Sequence, residues 1–306
     1  MLIQLAEVLS QPLMLEASFV ARLVSLARSG KPIEVTARVN DVRLAAEKQA
    51  TAARSSSAKI TAVIPICGFI DQRSSFMMEV FGGTSLESLL EGVNICLNEP
   101  RIGGIIFDCA TPGGSAFGVK EAADYIASVR GNIPMVAVSN SMMASAGYYL
   151  GAATDRIYAT PSSVTGSIGV AWEHTEYSKA DAEAGITSTI FRIPEYKMEG
   201  HPAEPLTDAA KANMQARCED LYQMFTGDVA RYRGTTASNV KEKYGQGRVL
   251  SADAAVACGM ADRVATFADV CSQMQSGAIG RSLAQTRMEA PADVAMMRNR
   301  MNAITL

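Results

Sequence analysis

Along this 306-residue chain the apolar positions change their period from one stretch to the next. Short continuous apolar runs predict buried strands, and runs at helical spacing predict the helices between them. Residues 60–66, 105–107, 135–138 and 156–159 read as strands. Leu86, Leu89, Leu90, Val93 and Leu97 form a helical stripe that starts at Thr84, where Thr84 and Glu87 have the spacing of a capping box. Residues 119–129 and 145–153 predict two further helices. Strands alternating with helices predict an α/β fold, a parallel sheet with helical crossovers. In such sheets, sites gather at the carboxyl ends of the strands.

The flanking segments read differently. Residues 1–50 are amphipathic and mostly helical in pattern, a lead-in, and residues 51–59 are small and polar like a flexible linker. The main domain is expected over residues 60–268. Within it, residues 189–193 are a strand candidate, and Thr207 is placed to cap a long helix reaching Arg231. Met214, Leu221, Phe225 and Val229 would form the inner face of that helix. Residues 269–306, polar and rich in Met and Arg, read as a tail or docking segment.

Composition narrows the function classes. At 48% apolar and 19% charged residues the chain is an ordinary globular protein, and its net charge of −3 carries no electrostatic footprint for nucleic acid. Six cysteines, with neither a CxxC pair nor a Cys/His cluster, predict reduced thiols and a cytoplasmic setting rather than disulfides or zinc. Glu7, Pro12, Glu16 and Arg22 interrupt the amino-terminal apolar stretch. No signal peptide or membrane span is expected.

The chemistry centres on Ser145. It sits between Ala144 and Ala146 and precedes Gly147, so the backbone can turn sharply and place a hydroxyl at the start of a helix. A plain helix cap is the competing reading. Thr111-Pro112-Gly113-Gly114 follows another strand candidate. An oxyanion hole needs two N–H groups converging on one oxygen; Gly113 or Gly114 would supply one and Ala146 the other. Only two histidines exist, His174 and His201, and neither has a catalytic setting. A lysine serves as base where burial disfavours its ammonium form. Lys197 is the candidate, although Glu195 and Glu199 beside it also fit a solvated ion pair. Ser167 or Thr165 would orient its nitrogen. This chemistry needs no metal and no organic cofactor.

The motifs together resemble the signal-peptide peptidase (SppA) family of Ser-Lys proteases, which includes bacteriophage capsid-assembly proteases. The family's Ala-Ser-Gly-Gly-Tyr-Tyr is similar to Ala144 through Tyr149, with Ala146 in place of a glycine. Its Thr-Gly-Ser-(Ile/Leu)-Gly-Val is intact from Thr165 to Val170, and its Ser-Pro-Gly-Gly stands as Thr111 to Gly114. Glu195-Tyr196-Lys197, Pro205-Leu206-Thr207 and the stretch from Gly247-Arg248-Val249 to Ala261-Asp262 match later family segments, so the resemblance covers roughly residues 60–268.

The resemblance implies Ser145 as nucleophile, Lys197 as general base, Ser167 as the hydroxyl that holds the lysine, and Gly113 or Gly114 at the oxyanion. It implies a crotonase-like α/β spiral of β-β-α units, assembled into a homo-oligomer, acting on protein or peptide substrates. Cellular members usually carry an amino-terminal membrane anchor. The lead-in, the linker and the run Gly82 to Ser85 are more similar to the phage and prophage members, which cleave scaffold, portal or capsid proteins in the host cytoplasm or the procapsid. The rival readings are a cellular SppA-like peptidase, an acyl-CoA enzyme on the same fold, and a non-catalytic capsid-assembly protein. A shallow Gly-rich site suggests a preference for small or apolar residues before the scissile bond.

Overall fold

The structure, a computed structural model, describes residues 11–29 and 41–289. In chain order these form β1 (Leu13–Leu15), α1 (Ala17–Ser29), α2 (Val42–Arg54), β2 (Ile60–Asp71), α3 (Phe76–Phe81), β3 (Gly83–Ser85) and α4 (Leu86–Leu97). Then come β4 (Ile102–Ser115), α5 (Val119–Val129), β5 (Met135–Ala144), α6 (Ala146–Ala152), β6 (Arg156–Ala159) and β7 (Val164–Gly166). The remainder is α7 (Ser178–Glu183), α8 (Asp208–Arg233), α9 (Ala237–Lys243), β8 (Val249–Ser251), α10 (Ala252–Ala257), β9 (Arg263–Val264), α11 (Phe267–Gln275) and α12 (Ala278–Glu289).

The strands join in one sheet in the order β3-β2-β4-β5-β6-β9, with β1 added to β4 and with β7 joined to both β5 and β8. Pairings along the main path are parallel; β1 on β4 and β8 on β7 are antiparallel. The long strands are bent. The register between β2 and β4 shifts past Cys67, and that between β4 and β5 jumps from Ser139 to Met142. The first half of β5 therefore pairs with β6 and its second half with β7. Each long strand works as two short ones followed by a helix, which is the β-β-α unit of the crotonase-like spiral. A bulge bends a strand because one extra residue breaks the ladder.

The helical stripe over residues 86–97 is borne out, but its start is not at Thr84. Thr84 belongs to β3, and its hydroxyl bonds both the N–H and the carbonyl of Cys67 at 3.0 Å. Ser85 is the cap, accepting from the Ser88 N–H at 3.3 Å. Thr207 caps α8 as expected, accepting from the Ala210 N–H at 3.1 Å, and the helix runs on to Arg233. Residues 189–193 form no strand; they lie in an exposed irregular segment.

The segment boundaries need three corrections. Residues 13–15 are not helical: they form β1, wholly buried in the sheet. Residues 51–54 are no linker but the last turn of α2, whose Val42, Ala46, Ala50 and Ala53 join the main core. Residues 269–289 are not a polar tail, because α11 and α12 bury Val270, Met274, Ile279 and Leu283 against Ile106, Val136 and Val138 of the sheet. The rest of that tail, 290–306, lies outside the described residues.

Candidate active site

Ser145 stands where β5 ends and α6 begins, with φ 53° and ψ −117°. A positive φ on a residue with a side chain costs on the order of 1–3 kcal/mol and persists only where its surroundings enforce it. Here the Ser145 N–H donates to the Gly166 carbonyl at 2.7 Å, and its own carbonyl accepts from the Tyr149 N–H at 3.0 Å. Position makes Ser145 the cap of α6, yet its side chain makes no capping bond. Its Oγ is buried and has no hydrogen-bond partner among the described residues. The capping role therefore fails, leaving a buried hydroxyl on a strained backbone, unpaired among the described residues.

Gly113 faces this turn with φ +102°. A side-chain carbon added to Gly113 would fall 2.9 Å from Ser145 Cβ and 3.1 Å from the Ala146 nitrogen, so only glycine admits the approach. The Gly113 N–H is already engaged: it donates to Thr111 Oγ1 at 3.0 Å, and that hydroxyl donates to the Gly68 carbonyl at 2.6 Å. Thr111, which stands where the family pattern has serine, holds the glycine loop in place. Ala146 raises no backbone objection, because the positive φ falls on Ser145 and not on Ala146. Gly147 is required for packing, since a side-chain carbon there would meet the Thr111 methyl at 2.3 Å.

The turn after β7 forms the other wall. Ala144 pairs with Gly166, which brings Thr165 and Ser167 beside Ser145. Thr165 is fully buried, and its Oγ1 also lacks a partner among the described residues. Ser167 has φ 54° and is held by its N–H donating to the Arg248 carbonyl at 2.8 Å. Ser145, Ala146, Gly113, Thr165 and Ser167 thus lie together at the carboxyl ends of β4, β5 and β7, while Gly114 packs against Ile70 of β2. Sequence reasoning missed Thr111, Arg248 and β1. Thr111 carried a signal, a hydroxyl two residues before the turn, whereas Arg248 acts through its carbonyl, which side-chain patterns do not encode.

Lys197 does not join them. It is exposed, in the irregular segment between α7 and α8, and forms no ion pair among the described residues. Around it Phe191, Ile193 and Tyr196 are 89%, 94% and 64% exposed. Neither histidine replaces it. His201 accepts from the Ala203 N–H through Nδ1, His174 Nε2 is buried and unpaired among the described residues, and none of those residues bonds Ser145 Oγ. Nor is a thiol a rival nucleophile here: full burial, and Asp108 nearby, push the Cys109 thiol far above its ordinary value, so it stays protonated. All six cysteines are free. No group of side chains among the described residues has the makings of a metal site. No helix among them is long and apolar enough to cross a membrane.

The chain is also similar in sequence to known proteins. The model of peptidase family S49 matches residues 127–279, half of the chain. Capsid assembly protease C of Escherichia phage lambda is 31% identical over 214 residues, covering 70% of this chain and 48% of that protein. Head-tail preconnector protein GP5 of Enterobacteria phage P21 is 29% identical over 213 residues, 70% of this chain and 42% of its own length. The chloroplastic serine protease SPPA of Arabidopsis thaliana is 26% identical over 179 residues, 58% of this chain and 26% of that protein. The chain spans about half the length, or less, of these curated relatives.

Proposed function

The chain belongs to peptidase family S49, and on that premise we propose that it is a serine endopeptidase working through Ser145 and Lys197. The observation that carries this reading is the Ser145 hydroxyl itself, set on a strained backbone, buried, and without a partner among the described residues, beside the Ala146 N–H. Lys197 in its neutral form takes the Ser145 proton as Oγ attacks a peptide carbonyl. The Ala146 N–H and one from the Gly113-Gly114 pair stabilise the oxyanion, and because Gly113 is engaged by Thr111, Gly114 is the better donor. The lysine passes its proton to the departing amine, and water then hydrolyses the acyl-enzyme with the lysine again as base. Thr165 and Ser167 orient the lysine.

The exposure of Lys197 sets a condition: its segment must close over Ser145. Packing of Phe191, Ile193 and Tyr196 against a further copy of the chain supplies the driving force, so the active form is a homo-oligomer. Two relatives named for phage head assembly support scaffold, portal or capsid proteins as substrates, met in the host cytoplasm or the procapsid. A cellular SppA-like role is the second reading, favoured by the Arabidopsis relative, whose match covers less of this chain. Cleavage of a denatured protein tests the chemistry. Ser145→Ala and Lys197→Ala should each abolish turnover, by about 10³-fold or more, while leaving the circular dichroism unchanged. Turnover retained by either variant would refute the dyad.

A further inference from the structure

The hydroxyl proposed as nucleophile is 1% exposed, so no substrate reaches it while the described chain keeps this arrangement. What covers the site is part of the same chain. Residues 12–16 run antiparallel along the glycine strand, with Leu13 opposite Ser115, Met14 opposite Gly114 and Leu15 opposite Gly113. The Glu16 N–H donates to the Pro112 carbonyl at 2.7 Å, and the Ala116 N–H to the Pro12 carbonyl at 3.4 Å. The other edge is held as well, since Leu13 and Ala171 exchange both N–H···O bonds, at 2.9 and 3.0 Å. Ala171 follows directly on the turn that carries Thr165 and Ser167. A short extended segment bonded along both edges, between the two walls of a candidate active site, has the arrangement of a peptide recognised by strand addition.

The register is specific. The same point above Gly113 that lies 2.9 Å from Ser145 Cβ and 3.1 Å from the Ala146 nitrogen lies 2.1 Å from the Met14 carbonyl oxygen. Of the carbonyls in β1, that of Met14 faces the place where a scissile carbonyl would be held. The Met14 side chain is fully buried, and Leu13 and Leu15 are nearly so. Successive side chains of a strand point to opposite faces, so burial of all three means that the groove encloses the segment on both faces.

We propose that residues 12–16 are an intramolecular pseudosubstrate: they fill the peptide-binding groove of the enzyme, with Met14 in the place of the residue before the scissile bond. The inference rests on the peptidase reading above and adds to it a substrate class, an extended peptide with a large apolar residue at that position. It also gives the chain a resting state in which its own segment must leave before another polypeptide enters.

Binding tests this apart from catalysis. In a Ser145→Ala background, a fluorescent peptide with the sequence of residues 11–16 should bind a chain lacking residues 1–16 at least ~10-fold more tightly than the full chain, because the groove of the full chain is open only part of the time. The same peptide with Asp in place of Met should not bind. Equal binding by the two chains, with their circular dichroism unchanged, would overturn the proposal. A second variant keeps the full chain: Leu13→Cys with Ser115→Cys, residues that sit opposite each other, should form a disulfide on mild oxidation. Peptide binding should then vanish and return with reductant. Failure of the bridge to form, or binding that persists after oxidation, counts against the proposal. Tight binding by the truncated chain without turnover when Ser145 is present would remove the peptidase reading and leave this inference standing.

Discussion

Thr111 and Gly147 show how far a single methyl group reaches. The Thr111 hydroxyl ties Gly68 to Gly113, and its methyl lies where any side chain on Gly147 would have to go. Gly147→Ala is therefore expected to push Thr111 aside, loosen the glycine loop and cost on the order of 1–3 kcal/mol in stability along with most of the activity. Adding Thr111→Ser removes the obstructing methyl and keeps the hydroxyl, so the double variant should recover activity and most of the lost stability. Urea unfolding and turnover of the two singles and the double would show it, and additive losses would refute the coupling. Ser145 teaches a related lesson. A serine before a helix is more often a cap than a nucleophile, and sequence reasoning could only weigh the two. A positive φ and a hydroxyl unpaired among the described residues decide against the cap, and both depend on the tertiary surroundings rather than on residue type.

Among the elements, those with a strong period were legible. The α5 and β6 boundaries agree with the apolar pattern, because each buries one clear set of side chains. The α2 helix was misread at its end, since its buried stripe is mostly alanine and looks like linker composition. It packs closely on α4: a side-chain carbon on Gly92 would meet Val42 Cγ1 at 3.1 Å. The α8 helix is anchored at its far end, where Phe225 stacks on Tyr149 at 4.5 Å and Asp228 bonds Tyr149, Lys120 and Arg231. In the same network, burial pushes the Asp124 carboxyl up, but hydrogen bonds from Arg231, Lys120 and Tyr232 outweigh it and hold the group below its ordinary value. A carboxylate depressed in this way contributes stability above its unfolded value, about pH 4, and loses it as the pH falls through the lower folded value. Asp124→Asn should therefore melt at a lower temperature near neutrality, and the gap to the parent chain should shrink below about pH 4. A gap that is constant from about pH 7 to about pH 2 in thermal unfolding would show that the ionised carboxylate contributes nothing.

At the scale of the whole molecule, the exposed segment before α8 is the feature that an isolated chain leaves unexplained. Phe191, Ile193 and Tyr196 are apolar, exposed and adjacent to Lys197. Replacing Phe191 and Ile193 together with Ser should shift sedimentation toward the monomer and lower turnover in step, with circular dichroism unaffected. Unchanged mass and turnover would refute the assembly role of this segment. The sequence by itself determined the α/β alternation, the family motifs and the candidate residues Ser145, Gly113, Gly114, Ala146, Thr165 and Ser167, because local period and short spacing act over a few neighbours. Only the tertiary structure decided that Ser145 is strained and unpartnered among the described residues, that Gly113 is engaged by Thr111, that Lys197 stands apart, and that Leu13–Leu15 pairs with the glycine strand. The place of β1 and the turn at Ser145 rest on backbone hydrogen bonds between segments distant in the chain, as between Leu13 and Ala171 or Ser145 and Gly166. Any residue type can make such bonds, so side-chain patterns do not announce them.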